Sequence, residues 1–211
     1  MSGLLEMLLA LGASYLLGSL PTGYLIARYV KGIDIRTRGS GNIGATNVWR
    51  NLGPAWGIIS LAGDAGKGAA AVLIGRLVGI PGMELLTAAA ALTGHGWSVF
   101  LRFQGGKIIA TSLGVLSMLA PVGLAVAAVV WVGTFVLTRF VSLASILAAS
   151  AVPLAFLLAG LDWRYAAFGL FLAVVALYKH RSNIQRLLRG EESRFNLRYS
   201  QAGGSNNGRG R

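Results

Sequence analysis

Long apolar runs separated by short polar segments organise this chain. Six apolar stretches follow one another, at residues 4–30, 54–79, 83–101, 108–137, 141–160 and 165–178. A helix needs about 20 residues to cross a hydrocarbon core of about 30 Å, so the pattern predicts membrane-spanning helices. The fourth stretch would be about 45 Å long as one helix, and we expect Pro121 to divide it into two short antiparallel pieces. Pro21 predicts a kink near the end of the first stretch, and we expect the last helix to continue to Gly190.

The distribution of Lys and Arg favours seven spans over six. With the N-terminus outside, sixteen of the nineteen basic residues fall on the cytoplasmic side. An unsplit fourth stretch would move Arg139 and the basic C-terminal cluster to the side opposite the first loop. The expected fold class is an all-α integral membrane protein with about seven transmembrane helices, some short, and a cytoplasmic C-terminus. We expect a membrane domain over 1–195 and a disordered polar tail over 196–211.

Composition narrows the possible partners. The chain is 55% hydrophobic and 12% charged, which leaves no room for a separate soluble domain. Its net charge of +12 would suggest nucleic acid in a soluble protein, but here it favours membrane lipid headgroups and an anionic substrate, with no nucleic acid. The chain has no cysteine, and its two histidines and seven carboxylates lack metal-binding spacing, so no metal or cofactor is expected. The N-terminus lacks a basic start, so we expect a retained first span and not a cleaved signal peptide.

The glycine-rich loop at residues 38–51 is the strongest candidate for anion binding. Glycines let a backbone turn its N–H groups toward one point, and hydroxyl, amide and guanidinium groups can add donors there. The candidate ligands are Gly39, Ser40, Gly41, Asn42, Gly44, Thr46, Asn47 and Arg50. The GxGxxG match is weak evidence for a dinucleotide site because no βαβ pattern surrounds it. A simple glycine-rich connector between two helices is the alternative.

A second basic loop at residues 102–107 ends in Gly105, Gly106 and Lys107, immediately before an apolar helix. A phosphate there would meet free backbone N–H groups, the positive end of the helix dipole and an ammonium group. The alternative is an interfacial lysine that extends toward water.

His180 and Asn183 lie three residues apart and therefore share a helix face. Histidine can hold an anionic or hydroxyl group, or transfer a proton. An ordinary polar helix end facing lipid headgroups is the alternative, and we expect that role for Arg186, Arg189 and Arg194.

Asp64 and Lys67 lie three residues apart in the middle of an apolar span. Ionisable groups at such positions are costly and tend to pair. We expect a structural ion pair that helps to shape the site, with His95 in a similar supporting role near the end of the next span.

The motifs together resemble one bacterial enzyme family. The chain resembles the acyl-phosphate:glycerol-3-phosphate acyltransferases (PlsY type), because it carries four sets of motifs in the order found in that family. They are GSGNIGATN, then DAGKG, then GH followed by VFLRFQGGK and ATSLG, and finally HRSNIQRLLRGEE. The resemblance implies a seven-span protein of the bacterial inner membrane with its active site facing the cytoplasm. It implies acyl transfer from acyl-phosphate to the 1-hydroxyl of glycerol 3-phosphate, giving lysophosphatidate and phosphate without a cofactor. A separate soluble enzyme would supply the acyl-phosphate.

The same resemblance assigns roles to residues. It implies that Ser40 and the glycine-loop backbone bind phosphate, and that Arg50, Lys107, His180 and Asn183 line the glycerol-phosphate pocket. The chain departs from the common FKGGKG at Gln104, which weakens the local positive field, and at Ile108, which replaces a flexible hinge. Two other classes stay open, a transporter of a small phosphorylated anion and a lipid-binding scaffold without chemistry.

Overall fold

The computed structural model describes residues 2–195, which form ten α-helices joined by short loops and two single-turn 3₁₀ helices. The helices are α1 (Ser2–Ser19), α2 (Thr22–Lys31), α3 (Ala45–Leu52), α4 (Pro54–Leu77), α5 (Met83–Gly96), α6 (Ile109–Leu119), α7 (Pro121–Thr138), α8 (Val141–Leu158), α9 (Trp163–Lys179) and α10 (Arg181–Leu188). The expected all-α class is therefore confirmed for these residues. The expectation of a tail at 196–211 lies outside the described residues.

Four helical segments are long and apolar enough to cross a membrane. They are Gly3–Lys31, Pro54–Leu77, Pro121–Thr138 and Val141–Leu158. The remaining apolar helices α5, α6 and α9 have 14, 11 and 17 residues and are shorter than a standard span. Seven apolar helices are thus present in residues 2–195, and how many of them cross a bilayer stays a prediction.

Both prolines lie at helix boundaries, as predicted, although α7, with 18 residues, is not short. α6 ends at Leu119 and α7 begins at Pro121, where the missing N–H of proline costs nothing because the first helical turn has no intrahelical acceptor for it. α1 ends at Ser19 and α2 begins after Pro21. The two prolines therefore mark the boundaries between consecutive helices.

Two helix ends differ from the sequence prediction. The third apolar stretch is helical only to Gly96, and a 3₁₀ turn at Val99–Leu101 covers its last part. The last helix does not run unbroken to Gly190. It breaks at His180, whose backbone (φ −98°, ψ 5°) leaves the α-helical region, so α10 starts in a new direction. α10 then packs against α8 and α9.

Glycines bring α4 and α6 into close contact. A Cβ at Gly68 would overlap the backbone of Thr111, and one at Gly114 would overlap the backbone of Ala65. Small residues of this kind let membrane helices approach each other closely. The contact fixes the start of α6, and hence the end of the 102–107 loop, against α4.

The bundle core lies between α4, α5, α6, α8 and α9, and a smaller apolar cluster lies under the glycine loop. That second cluster draws on α2, the 3₁₀ turn at Ile35–Thr37, the glycine loop itself, α3 and the 3₁₀ turn at Val99–Leu101. Its buried members are Ala27, Ile35, Ile43, Val48, Leu52 and Leu101. The loop at 38–51 is thus anchored at both ends by buried apolar side chains.

Candidate active site

Asn47 holds the glycine loop in shape from inside. Its side-chain amide nitrogen donates to the backbone oxygens of Asn42, Arg38 and Ile35 at 2.8, 3.0 and 3.2 Å, and its side-chain oxygen accepts from the N–H of Ser40 at 3.1 Å. The side chain is buried. Its donors and acceptor are occupied by the loop itself, so we assign Asn47 to positioning and not to ligand contact, which changes the role expected from the sequence.

The loop needs glycine at two positions because of backbone conformation. Gly39 and Gly41 have φ values of 54° and 70°, in the left-handed region that L-residues with a Cβ rarely adopt. Gly44 has φ −75° and caps the start of α3, so its role is different. Between the first two glycines the Ser40 hydroxyl lies exposed and has no hydrogen bond to another residue within 2–195, which leaves it available to a ligand. Asn42 and Thr46, further along the loop, are half-buried.

Close packing explains the glycines of the second loop. The N–H of Gly106 donates to the His95 carbonyl oxygen at 2.9 Å. A Cβ at Gly106 would overlap the His95 ring, and one at Gly105 would overlap the end of the α5 backbone. The 102–107 loop therefore lies directly on the end of α5, which fixes the position of the lysine that follows.

Ile108, which stands where the family has a flexible hinge, has an unusual backbone conformation. It adopts a left-handed conformation (φ 62°), which is a genuine outlier for a β-branched residue, and its side chain is fully buried in the main core. The residue therefore keeps the backbone geometry that a glycine would allow, but it anchors the loop where a glycine would leave it free.

Lys107 reaches across to the last helix. Its Nζ donates to Oδ1 of Asn183 at 2.6 Å, so residues 76 positions apart in the sequence meet directly. Burial lowers the pKa of Lys107 from 10.5 to about 8; the charge of Glu192 opposes the shift, and those of Arg186 and Arg50 add to it. The convergence of the 102–107 loop with the last helix is thus observed.

Glu192 joins the parts of the site, and the sequence reasoning missed it. Its Oε1 accepts from the Ser142 hydroxyl at 2.6 Å and from the Asn183 amide at 2.7 Å, and its Oε2 accepts from Arg186 at 2.7 Å. Burial alone would raise the pKa of this carboxyl, but the three hydrogen bonds outweigh it and lower the pKa. Arg186 therefore pairs inside the site, which corrects the expectation that it faces lipid headgroups.

A signal for Glu192 was present in the sequence. It is one of only seven acidic residues in a chain of net charge +12, and it lies shortly after the basic last helix, which ends at Leu188. Ser142 gave no comparable signal, because a serine at the start of an apolar helix is unremarkable until the fold brings it to the site.

His180 is buried at the break between α9 and α10. Its Nδ1 lies 2.8 Å from the Ala176 carbonyl oxygen, so Nδ1 carries the proton and Nε2 of the neutral ring is an acceptor. Burial, followed by the charge of Lys107, lowers the pKa of His180 to about 4. At neutral pH the ring can therefore accept a hydrogen bond from a hydroxyl, and it is too weak a base to hold a proton.

The ion pair expected in the fourth helix is present and extends further. Lys67 Nζ lies 2.9 Å from Oδ1 of Asp64 and donates to the Leu20 carbonyl oxygen at 2.6 Å. His95 Nδ1 lies 3.6 Å from the same aspartate oxygen. Because the His95 ring also supports Gly106, this buried cluster connects α4 and the end of α1 with the floor of the lysine loop.

Arg50 lies at the end of α3, and its charge acts on Lys107. Ser40, on the other side of the glycine loop, forms no hydrogen bond with Lys107, His180 or Asn183 in residues 2–195. The structure therefore unites Lys107, His180 and Asn183 and brings Arg50 within electrostatic range. Lys107 and Arg50 supply positive charge, and the neutral ring of His180 supplies a hydrogen-bond acceptor, a combination suited to a phosphorylated ligand that carries a hydroxyl. Among residues 2–195, no group of three or more His, Asp or Glu residues could hold a metal ion.

Comparisons with known proteins agree with this chemistry. The family model described as glycerol-3-phosphate acyltransferase matches residues 8–190. The glycerol-3-phosphate acyltransferase of Desulforudis audaxviator is 73% identical over 92% of this chain and 98% of its own length. That of Carboxydothermus hydrogenoformans is 47% identical, covering 90% of this chain and 97% of its own.

Solved structures of an integral membrane glycerol 3-phosphate acyltransferase, PlsY, share the fold. Its glycerol 3-phosphate form superposes with a TM-score of 0.84 at 38% identity, covering 93% of this chain and 96% of the other. Its lysophosphatidic acid form gives a TM-score of 0.82 at the same identity, covering 93% and 97%.

Proposed function

The chain belongs to the glycerol-3-phosphate acyltransferase family of the PlsY type, and we propose that it transfers a fatty acyl group from acyl-phosphate to the 1-hydroxyl of glycerol 3-phosphate. The products would be lysophosphatidate and phosphate, in the first acylation step of phospholipid synthesis. The observation that carries the proposal is the direct contact of Lys107 with Asn183, within the charge field of Arg50 and Glu192. This contact builds one cationic pocket from segments that are distant in sequence.

Glycerol 3-phosphate occupies this pocket in the proposal. The ammonium of Lys107 and the guanidinium of Arg50 neutralise its phosphate, and Asn183 orients the lysine. His180 uses the free lone pair of Nε2 to accept a hydrogen bond from a glycerol hydroxyl, because Nδ1 is committed to the backbone. The pocket thus binds both the phosphate and a hydroxyl group of glycerol 3-phosphate.

The acyl-phosphate binds at the glycine loop. The exposed Ser40 hydroxyl and the N–H groups between Gly39 and Gly44 donate to its phosphate, and Asn47 maintains the loop conformation. Such donors are aimed at a group that gains negative charge when the mixed anhydride breaks, so they stabilise the transition state more than the ground state. The acyl chain lies between helices in the bilayer.

The transfer is direct and needs no acyl-enzyme. The glycerol oxygen attacks the acyl carbon, the new ester C–O bond forms, and the bond from the acyl carbon to the phosphate oxygen breaks. The leaving phosphate takes the hydroxyl proton, so the substrate serves as the base. Holding both reactants in register can supply up to about 7–11 kcal/mol of the barrier reduction. The buried cluster of Asp64, Lys67 and His95 contributes indirectly, because it keeps the 102–107 loop and its lysine in position.

Helix length supports a site recessed into the membrane. α6 has 11 residues and is about 16 Å long, about half of the hydrocarbon thickness, and Lys107 lies just before its first turn. A soluble phosphate substrate and a membrane-bound acyl chain can meet at that depth. We propose seven crossings with the C-terminus cytoplasmic, an inner-membrane location, and supply of the donor by a soluble acyl-phosphate-producing enzyme.

The experiment that tests this function is reconstitution with defined substrates. Purified protein is mixed with acyl-phosphate and glycerol 3-phosphate, and phosphate and lysophosphatidate are measured together. Equal amounts of both products, dependent on both substrates, are expected, with Lys107→Ala reducing kcat/KM at least about tenfold. Arg189→Ala is the control, since that exposed arginine has no place in the pocket.

Two outcomes would contradict the proposal. A covalent acyl-enzyme trapped with labelled acyl-phosphate would overturn direct transfer. Uptake of glycerol 3-phosphate into vesicles without acyl transfer would favour a transporter, whose sites usually lie near the bilayer midplane between repeats. The sequence shows no internal repeat, which argues against that alternative.

A further inference from the structure

Residues 191–195, which we call the C-terminal segment, fold back over the site after α10. The N–H of Glu191 donates to the Arg186 carbonyl oxygen, and the N–H of Phe195 donates to the Arg139 carbonyl oxygen, both at 2.8 Å. The segment therefore leaves α10 and ends at the junction of α7 and α8. The family match ends at residue 190, so it does not cover this part of the chain.

The ring of Phe195 lies between α3 and α7. Its centroid is 5.9 Å from the Trp49 ring on α3 and 5.9 Å from the Phe135 ring on α7, both in edge-to-face arrangements. The guanidinium carbon of Arg50 lies over the same ring, 5.7 Å from its centroid. Phe195 thus contacts the helix that carries Arg50 and ties it to α7.

We propose that Phe195 is a positioning residue for Arg50. The inference rests on the proposed function, in which Arg50 binds the phosphate of glycerol 3-phosphate. An arginine side chain loses much rotamer freedom when it is fixed, and an aromatic face restricts it without consuming any of its N–H donors. All five donors of the guanidinium then remain available to an anion. Without the ring, Arg50 must be ordered by the substrate itself, and the affinity for the substrate falls.

The contacts of Phe195 explain why an aromatic ring is needed. Trp49 and Phe135 hold the ring by edge-to-face packing, which fixes its orientation as well as its place. A leucine would fill similar volume but would offer no negatively polarised face to the guanidinium. The effect should therefore follow the presence of the ring and not merely the apolar volume.

Kinetics with both substrates varied can test the inference. Phe195→Ala and Phe195→Leu should each raise the KM for glycerol 3-phosphate by about fivefold, the scale of a lost cation–π contact. The KM for acyl-phosphate should change little, and Phe195→Tyr should stay within about twofold of the wild type. Tyr29→Ala is the matched control, because it removes an aromatic ring that is 84% exposed.

A double-mutant cycle separates this inference from the proposed function. If Phe195 acts through Arg50, the double variant Arg50→Ala/Phe195→Ala should bind glycerol 3-phosphate no more weakly than Arg50→Ala alone. Fully additive losses, or a wild-type KM in Phe195→Leu, would overturn the inference. A wild-type KM in Arg50→Ala would instead overturn the role of Arg50, and a wild-type protein without acyl transfer would overturn the proposed function.

Discussion

Titration of Lys107 should set the alkaline limit of catalysis. Burial lowers its pKa from 10.5 to about 8, and the proposed phosphate contact requires the protonated form. At pH 9 only about one-tenth of the free enzyme would carry the charge, and at pH 10 about one-hundredth. We therefore expect kcat/KM for glycerol 3-phosphate to fall about tenfold for each pH unit above about 8.

The assay is phosphate release at saturating acyl-phosphate, with glycerol 3-phosphate varied between about pH 7 and pH 10. The second pKa of the substrate phosphate is about 6, so its charge stays nearly constant over this range. Titration of the substrate therefore does not contribute to the decline in kcat/KM. Once bound, the phosphate favours the charged lysine and raises its pKa. The decline in kcat should therefore begin at higher pH than the decline in kcat/KM.

Two variants test whether Lys107 causes this fall in kcat/KM at high pH, which we call the alkaline limb of the pH profile. Lys107→Arg stays charged throughout, so its kcat/KM should lose the alkaline limb even if its activity is lower. Glu192→Gln removes the negative charge that opposes the shift in Lys107, so the limb should move to lower pH. A flat profile in the wild type, or an unchanged limb in Lys107→Arg, would refute the reasoning.

Three further predictions concern the support of the site. Gly106→Ala should raise the KM for glycerol 3-phosphate at least about tenfold, because its Cβ would overlap the ring beneath the loop, whereas Gly66→Ala, whose Cβ meets open space, should leave it unchanged. Asp64→Asn should lower the free energy of unfolding by about 3–5 kcal/mol, since the buried ammonium of Lys67 would lose its counter-charge and keep only neutral hydrogen-bond acceptors; an unchanged thermal midpoint would contradict this. Ile108→Gly should relieve about 1–2 kcal/mol of strain from the left-handed backbone but lose about 2–5 kcal/mol of stabilisation from the buried side chain. The loop should therefore open more often, and hydrogen exchange of the backbone amides of residues 104–110 should be faster than in the wild type. Equal exchange would count against an anchoring role.

Local patterns were sufficient to predict much of the fold. Apolar runs identify the helices, and Pro121 identifies the division of the longest run, because proline acts on its own backbone and needs no tertiary information. The pairing of Asp64 with Lys67 is also predictable from the sequence. Side chains three residues apart lie on the same helix face, and opposite charges on an otherwise apolar helix are stabilised by pairing with each other.

Features that depend on tertiary contacts could not be predicted in this way. Nothing in the residues around His180 signals a helix break, which follows from the packing of α10 on α8 and α9. The roles of Ser142, Glu192 and Phe195 arise from tertiary contacts. Ser142 lies 50 positions from Glu192 in the sequence, and Phe195 contacts rings on both α3 and α7. Asn47 was correctly placed in the loop by its sequence, but only the structure reveals that its amide is used by the loop itself.

Binding of glycerol 3-phosphate in the absence of donor tests the central claim most directly. Isothermal titration would compare the wild type with Arg50→Ala, Lys107→Ala and the control Arg189→Ala. If α3 and the 102–107 loop share one phosphate pocket, both site variants should weaken binding at least about tenfold, and the control should match the wild type. Unchanged affinity in both Arg50→Ala and Lys107→Ala would contradict the shared pocket and the reaction proposed for it.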